Sequence, residues 1–197
     1  MTDSLPRVVL VHGIHAAEGT SNMLRLIDPF NRAGFMVHVF EYGFLSVLGA
    51  MFANPYHASA LASFLRPGDV AVGHSNGCDL IRRAAKRVNL AGCVYINPAL
   101  DPGADTEAPW VDVYHNPGDH IVWWSKMIPC HPWGEMGATG YSGWKTNYRN
   151  IDCSAMPGLP EVNGHLDLFS KTNIGPWGDL ISRFTKQRIT DGQQPWD

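Results

Sequence analysis

Short apolar runs rich in β-branched residues recur along this chain, and segments with helical periodicity lie between them. Arg7-Val8-Val9-Leu10-Val11 is followed by Phe35 to Phe40, Asp69 to Val72, Gly92 to Ile96, Trp110 to Tyr114 and a weaker run at Asn150 to Cys153. A continuously apolar run of this length suits a strand buried on both faces. Between the runs, Thr20 or Ser21 can cap a helix that reaches about Ala33 and ends at Gly34. Ala58, Leu61, Ala62 and Leu65 form a helical stripe over His57 to Leu65; Ile81, Ala84, Ala85 and Val88 form another over Cys78 to Val88. Trp177, Leu180, Ile181 and Phe184 mark a last helix, with Pro176 suited to its first turn, and the polar tail from Thr190 is expected to be loose. Strand–helix alternation predicts an α/β fold: an open, mostly parallel sheet of about six strands with helices on both faces.

At 197 residues, 45% hydrophobic and 17% charged, the chain reads as one globular domain over 1–197. Residues 123–149 stand apart as a Trp- and Gly-rich insertion. From Lys126 to Tyr148 neither period is present, and Trp133, Tyr141, Trp144 and Tyr148 lie among Gly134, Gly137, Gly140 and Gly143. A net charge of −3 gives no reason to expect a nucleic acid or an anionic membrane as partner. The cluster Arg82, Arg83, Lys86, Arg87 reads as the solvated face of a helix. No apolar run approaches the roughly 20 residues of a membrane-spanning helix. Cys78, Cys93, Cys130 and Cys153 form no C-x-x-C pair, and Met1 to Arg7 lacks the pattern of a secretory leader. Reduced thiols and a cytoplasmic setting are the expectation, although a secreted form with its leader removed fits the same sequence.

The chemistry points to Gly73-His74-Ser75-Asn76-Gly77, which follows a strand and opens a helix. In that context G-x-S-x-G makes a sharp turn that lifts the serine clear of the sheet, and the glycines are needed because a β-carbon would collide there. Ser75 is therefore the candidate nucleophile. A serine hydroxyl needs a histidine as general base, an acid to orient that histidine, and donors for an oxyanion. Among nine histidines, His165 in Val162-Asn163-Gly164-His165-Leu166 is best placed, after the last strand and behind a glycine; His12, His15, His74, His115, His120 and His131 compete. Asp119, in the turn after the fifth strand, is the leading acid, with Asp101 after the fourth strand as rival. The backbone N–H of Asn76, at a helix start, and that of Ile14, in the loop after the first strand, are the oxyanion donors. His12 with His15, or His115 with His120, could pair on a metal, but neither has a third ligand in place, so no metal is expected.

Taken together, Val11-His12-Gly13-Ile14, the elbow at Ser75, Gly118-Asp119-His120-Ile121-Val122 and Gly164-His165 resemble the α/β-hydrolase superfamily. The chain looks like a small serine esterase- or lipase-like member, with the motifs in the order nucleophile, acid, histidine over about residues 7 to 187. The resemblance implies a Ser75–His165–Asp119 triad, an oxyanion hole at Ile14 and Asn76, no cofactor, and hydrolysis of a carboxylic ester through an acyl-enzyme. It departs from the family in lacking the first antiparallel strands and in having only Asp101 to Pro109 at the usual lid position. The same residues fit acyl transfer, thioester cleavage or amide cleavage, and a non-catalytic binding protein could stand on the same scaffold. Trp123, Trp124, Trp133 and Trp144 suggest a small-molecule substrate with an apolar group. Oligomeric state is not readable from the sequence.

Overall fold

The computed structural model describes residues 5–14, 21–43, 45–125 and 133–192. Six strands form one sheet: β1 (Arg7–Val11), β2 (Met36–Phe40), β3 (Val70–His74), β4 (Gly92–Ile96), β5 (Val111–His115) and β6 (Tyr148–Asp152). Their spatial order is β2-β1-β3-β4-β5-β6 and every pairing is parallel, with Val11 of β1 opposite Gly73 of β3. The helices are α1 (Ile27–Arg32), α2 (Val47–Phe64), α3 (Gly77–Ala84), α4 (His120–Ser125), α5 (Met136–Thr139) and α6 (Ile174–Gly192). Short 3-10 turns precede α1 at Asn22–Leu26 and α6 at Asp167–Phe169.

Strand alternation divides the interior in two. Val8, Leu10, Val70, Val72, Val94 and Ile96 face one way and pack with Phe30 of α1 and Trp177 and Ile181 of α6. Val9, Val11, Ala71, Cys93, Tyr95 and Val113 face the other way, against Leu61 and Leu65 of α2 and its border and Leu80 and Ile81 of α3. A smaller cluster of Ala50, Ala99, Val122 and Trp133 lies apart from both, and Ile14 and Met51 pack onto it. Cys78 and Cys93 are fully buried small apolar groups, and both are free thiols, as is Cys153; Cys130 lies outside the described residues. Burial pushes the Cys93 thiol up to about 12, so it is inert near neutrality.

The strands fall within two residues of the sequence expectation, but the helices depart further. Helix α2 begins at Val47, well before His57, and carries Pro55 in its interior. Its first half is apolar on every side, so no stripe advertises it, and proline normally signals a break. The first helix is a 3-10 turn running into α1, capped by Ser21, whose Oγ accepts from the Met23 N–H at 3.2 Å, and it ends before Gly34 at φ 88°. Helix α6 runs on through Thr190 to Gly192; residues 193–197 lie outside the described set. The aperiodic stretch holds α5, and Tyr148 opens β6 instead of closing a loop. Arg82 and Arg83 are not simply solvated: both pair with Asp79, a fully buried carboxylate in the first turn of α3, at 2.9 and 2.7 Å. Among the described residues no helix is long and apolar enough to cross a membrane.

Candidate active site

In an open parallel sheet the ligand crevice lies beyond the carboxyl ends of the strands, where the winding direction reverses. Here the chain goes from β1 outward to β2 and then back to β3 on the other side of β1. The reversal therefore falls between β1 and β3. Ile14 follows β1, Ser75 and Asn76 follow β3, Asn97 to Asp101 follow β4, Asp119 follows β5 and His165 follows β6. Five connections from separate parts of the sequence meet at one edge.

Ser75 has φ 54°, left-handed backbone that non-glycine residues rarely adopt. The strand-to-helix turn enforces it. The Ser75 N–H donates to the Ile96 carbonyl at 3.1 Å, and the Ser75 carbonyl accepts from the Ala99 N–H at 3.3 Å and the Cys78 N–H at 3.1 Å. A β-carbon at Gly73 would lie 3.0 Å from the Cys78 nitrogen, across the turn as the sequence suggested. At Gly77 the obstacle is different: a β-carbon would lie 2.5 Å from the carbonyl oxygens of Val11 and His12. Gly77 lets α3 start directly against the end of β1, and that contact brings the loop after β1 beside Ser75.

His165 and Asp119 are brought together. His165 Nδ1 lies 2.8 Å from Asp119 Oδ2, and both side chains are buried. The carboxylate can only accept, so Nδ1 carries a proton in this contact, and in the neutral ring Nε2 is the lone-pair nitrogen a base would use. Asp119 Oδ1 accepts from the Val122 N–H at 3.2 Å, which holds the acid just ahead of α4 as its cap. Asp101, the rival acid, is exposed, and its Oδ1 accepts from the Gly103 N–H at 2.8 Å in a local turn.

The competing histidines have other partners. His74 is buried; its Nε2 donates to the His165 carbonyl at 3.2 Å and its ring lies 4.7 Å from that of His165. Burial, helped by the nearby His165, holds His74 well below the ordinary imidazole value, so it stays neutral. His12 donates from Nδ1 to the Gly13 carbonyl at 2.6 Å, and its Nε2 faces the Tyr42 N–H at 3.4 Å; burial lowers its pKa as well. Burial also lowers that of His115, at the end of β5. His120 is exposed on α4, and His15 and His131 lie outside the described residues. Among the described residues no group of three potential ligands is placed to hold a metal.

The N–H groups of Ile14 and Asn76 are not satisfied by any backbone carbonyl of the described residues. Asn76 precedes α3, so its N–H shares the positive end of that helix. Ile14 and Asn76 both lie at the edge that also holds Ser75.

Three asparagines and a tyrosine complete the site without having been singled out by the sequence. Asn97, at φ 43° just past β4, donates from Nδ2 to the His165 carbonyl at 2.9 Å and the Gly164 carbonyl at 3.2 Å. Asn116 donates to Asn97 Oδ1 at 3.3 Å. Asn54 and Tyr42 bond to the side chain of Asn76. The only local signal is at Asn97, since asparagine tolerates left-handed backbone better than most residues. Of the four tryptophans, Trp133 is buried beside Asn76, Trp123 is partly exposed on α4, Trp144 is fully exposed, and the side chain of Trp124 lies outside the described set. Trp144 therefore lines no apolar pocket.

A six-stranded parallel sheet with a serine elbow after its third strand and an Asp–His pair beyond the fifth and sixth is the α/β-hydrolase fold. Comparison with solved structures agrees. The chain is similar to alpha/beta hydrolase domain-containing protein 10 from mouse (TM-score 0.64, 12% identity, covering 95% of this chain and 92% of that one). It is similar to an extracellular alpha/beta-hydrolase from a Paenibacillus species (0.57, 11%, 93% and 98%). It also resembles a monoacylglycerol lipase from Paleococcus ferrophilus (0.55, 16%, 95% and 96%). No protein-family model and no curated protein sequence matches the chain, so the likeness is one of fold.

Proposed function

We propose that this protein is a serine hydrolase that cleaves a carboxylic ester with Ser75 as nucleophile, His165 as general base and Asp119 as the acid that orients it. The observation that supports this most strongly is the 2.8 Å bond from His165 Nδ1 to Asp119 Oδ2, buried at the same sheet edge as a serine held at φ 54°. In this reading His165 Nε2 takes the proton of Ser75 as Oγ attacks the ester carbon. The carbonyl oxygen becomes an oxyanion held by the N–H groups of Ile14 and Asn76. The intermediate collapses, the alkoxide leaves with the proton from His165, and an acyl group remains on Ser75. Water then attacks the acyl carbon, giving its proton to His165, and the acid is released as Ser75 recovers its own.

An acyl substrate with an apolar group is supported by the apolar cluster of Ala50, Ala99, Val122 and Trp133, onto which Ile14 and Met51 pack. Apolar surface of this kind suits an acyl chain or an aromatic group, and the ester is taken as the acyl compound. The esterase and lipase activities named for several fold neighbours are consistent with this choice. The test is turnover of p-nitrophenyl esters of increasing chain length, with Ser75→Ala alongside. The expected result is hydrolysis by the wild-type chain and a loss of at least about 10⁴-fold in kcat for the variant, with the melting temperature retained. Equal turnover by the two proteins would reject the assignment.

A further inference from the structure

We infer that Trp133 and Tyr42 are positioning residues that hold the Asn76 carboxamide, and through it set the spacing of the two main-chain oxyanion donors; this rests on the ester hydrolase reading above.

An asparagine at a helix start ordinarily turns its side-chain oxygen back to cap the first-turn N–H groups. Asn76 does not. Its side chain is almost fully buried, and all its hydrogen-bonding capacity is directed outward. Asn76 Oδ1 accepts from Trp133 Nε1 at 2.8 Å and from Asn54 Nδ2 at 2.8 Å. Its Nδ2 donates to Asn54 Oδ1 at 3.1 Å and to the Tyr42 hydroxyl at 3.4 Å. An indole N–H can only donate, so the oxygen of Asn76 must be the atom facing Trp133, and the amide has one orientation.

Tyr42 reaches both halves of the oxyanion hole. Its hydroxyl donates to the His12 carbonyl at 2.9 Å, in the loop that leads to Ile14, while accepting from Asn76. Its ring stacks on His12 at 4.1 Å and 9°. One hydroxyl therefore connects the loop after β1 with the residue after Ser75. Asn54 adds a third anchor: its Nδ2 also meets the buried carboxylate of Asp79 at 2.9 Å, and Arg82 and Arg83 neutralise that carboxylate.

Trp133 gives the β5–β6 connection a role. The segment is fastened to the loop after β4 by the Met136 N–H on the Leu100 carbonyl at 2.9 Å and the Gly137 N–H on the Pro98 carbonyl at 2.8 Å. That stitching delivers the indole to Asn76. The N–H of Asn76 and its side chain share one Cα, so a side chain fixed from three directions fixes where the N–H points. Donors aimed before the reaction act on charge that develops in the transition state, so the benefit falls on kcat and not on KM.

The experiment compares kcat and KM for a p-nitrophenyl ester in the wild-type chain, Trp133→Phe, Tyr42→Phe and the pair. Trp144→Ala, at a fully exposed side chain of the same connection, serves as control. Fluorophosphonate labelling monitors Ser75. Phenylalanine removes the donor and keeps an aromatic ring against Ala50, Ala99 and Val122, with the loss of part of the indole's volume checked by the melting temperature. Trp133→Phe is expected to lose about tenfold in kcat with KM within about twofold, since a donor displaced but not deleted costs less than one removed. Tyr42→Phe should lose several-fold, and the pair less than the product of the two, because both act through Asn76. Affinity for an alkyl boronate, which forms a tetrahedral adduct on serine, should weaken in step with kcat. Wild-type kcat in both single variants, or a rise confined to KM, overturns the inference while Ser75-dependent turnover leaves the hydrolase reading standing. Should Trp133→Phe fail to fold, Tyr42→Phe decides alone. A wild-type chain that neither labels nor hydrolyses esters removes the reading and the inference together.

Discussion

Asp112 and Asp119 belong to the same strand and its following turn, and both are fully buried, yet they are held in different ways. Asp112 lies within β5 on the face covered by α6. Arg149 of β6 meets its two oxygens at 3.1 and 2.5 Å, and Arg188 of α6 meets Oδ1 at 2.9 Å. Arg149 in turn lies over the ring of Phe184 at 4.7 Å. Two guanidiniums never release a proton near neutrality, so this cluster can bind the last helix to the sheet but cannot move charge. Asp119 lies past the end of the strand and has a single imidazole partner at 2.8 Å. An imidazole nitrogen can donate or accept, so in the proposed mechanism this carboxylate orients a base and does not simply neutralise a cation. What separates the two buried carboxylates is the partner, and the partner is decided by position along the strand.

The comparison breaks most sharply under substitution of the two aspartates. Asp119→Asn should lower kcat by about 10³- to 10⁴-fold, because an amide at that place no longer favours the Nδ1–H tautomer or the imidazolium, while its melting temperature changes little. Asp112→Asn should do the reverse. Turnover stays within about twofold of wild type, and urea unfolding shows a loss of about 3 kcal/mol, the lower end for a broken buried ion pair because both arginines are partly exposed and can turn to water. If Asp112→Asn abolished turnover without unfolding the chain, the division between the two would be wrong.

A gentler test uses acid. Burial holds His12, His74 and His115 below the ordinary imidazole value of 6.5. Above that value folded and unfolded chains are both neutral at these sites. As the pH falls below it, the unfolded chain takes up protons that the folded chain refuses, so stability falls. The melting temperature should drop as the pH falls below about 6.5, and His74→Gln, whose amide can still donate to the His165 carbonyl, should reduce the drop. The smallest effect is expected for Asp101→Asn: its carboxylate closes an exposed turn, and kcat should stay within about twofold.

The parts of this structure that the sequence announced are those whose cause is local. A strand covered on both faces must be apolar throughout, so β1, β3 and β4 stand out as runs such as Val8-Val9-Leu10-Val11. The elbow is legible because its constraint lies within five residues. The pairing of His165 with Asp119 had a partial local signal, since each follows a glycine in a connection beyond a strand, Asp119 just after β5 and His165 in the longer loop after β6. What escaped notice has distant causes. Nothing near Asn54 hints that it will meet Asn76 and Asp79, and nothing in Arg82 and Arg83 betrays that Asp79 is buried beneath them. Helix α2 begins ahead of its apolar stripe, and Pro55 in its interior is a local signal for a break that tertiary packing overrides. Trp133 read as a general apolar residue, whereas its importance here rests on one N–H.

The central claim is that Ser75 is activated by His165. Labelling with a fluorophosphonate, located by peptide mass, tests it most directly. The account predicts one label per chain, on Ser75, formed readily by the wild-type protein and by Asp101→Asn, and slowed by several orders of magnitude in folded His165→Ala. A label on another residue, or Ser75 labelled equally fast without His165, would contradict it.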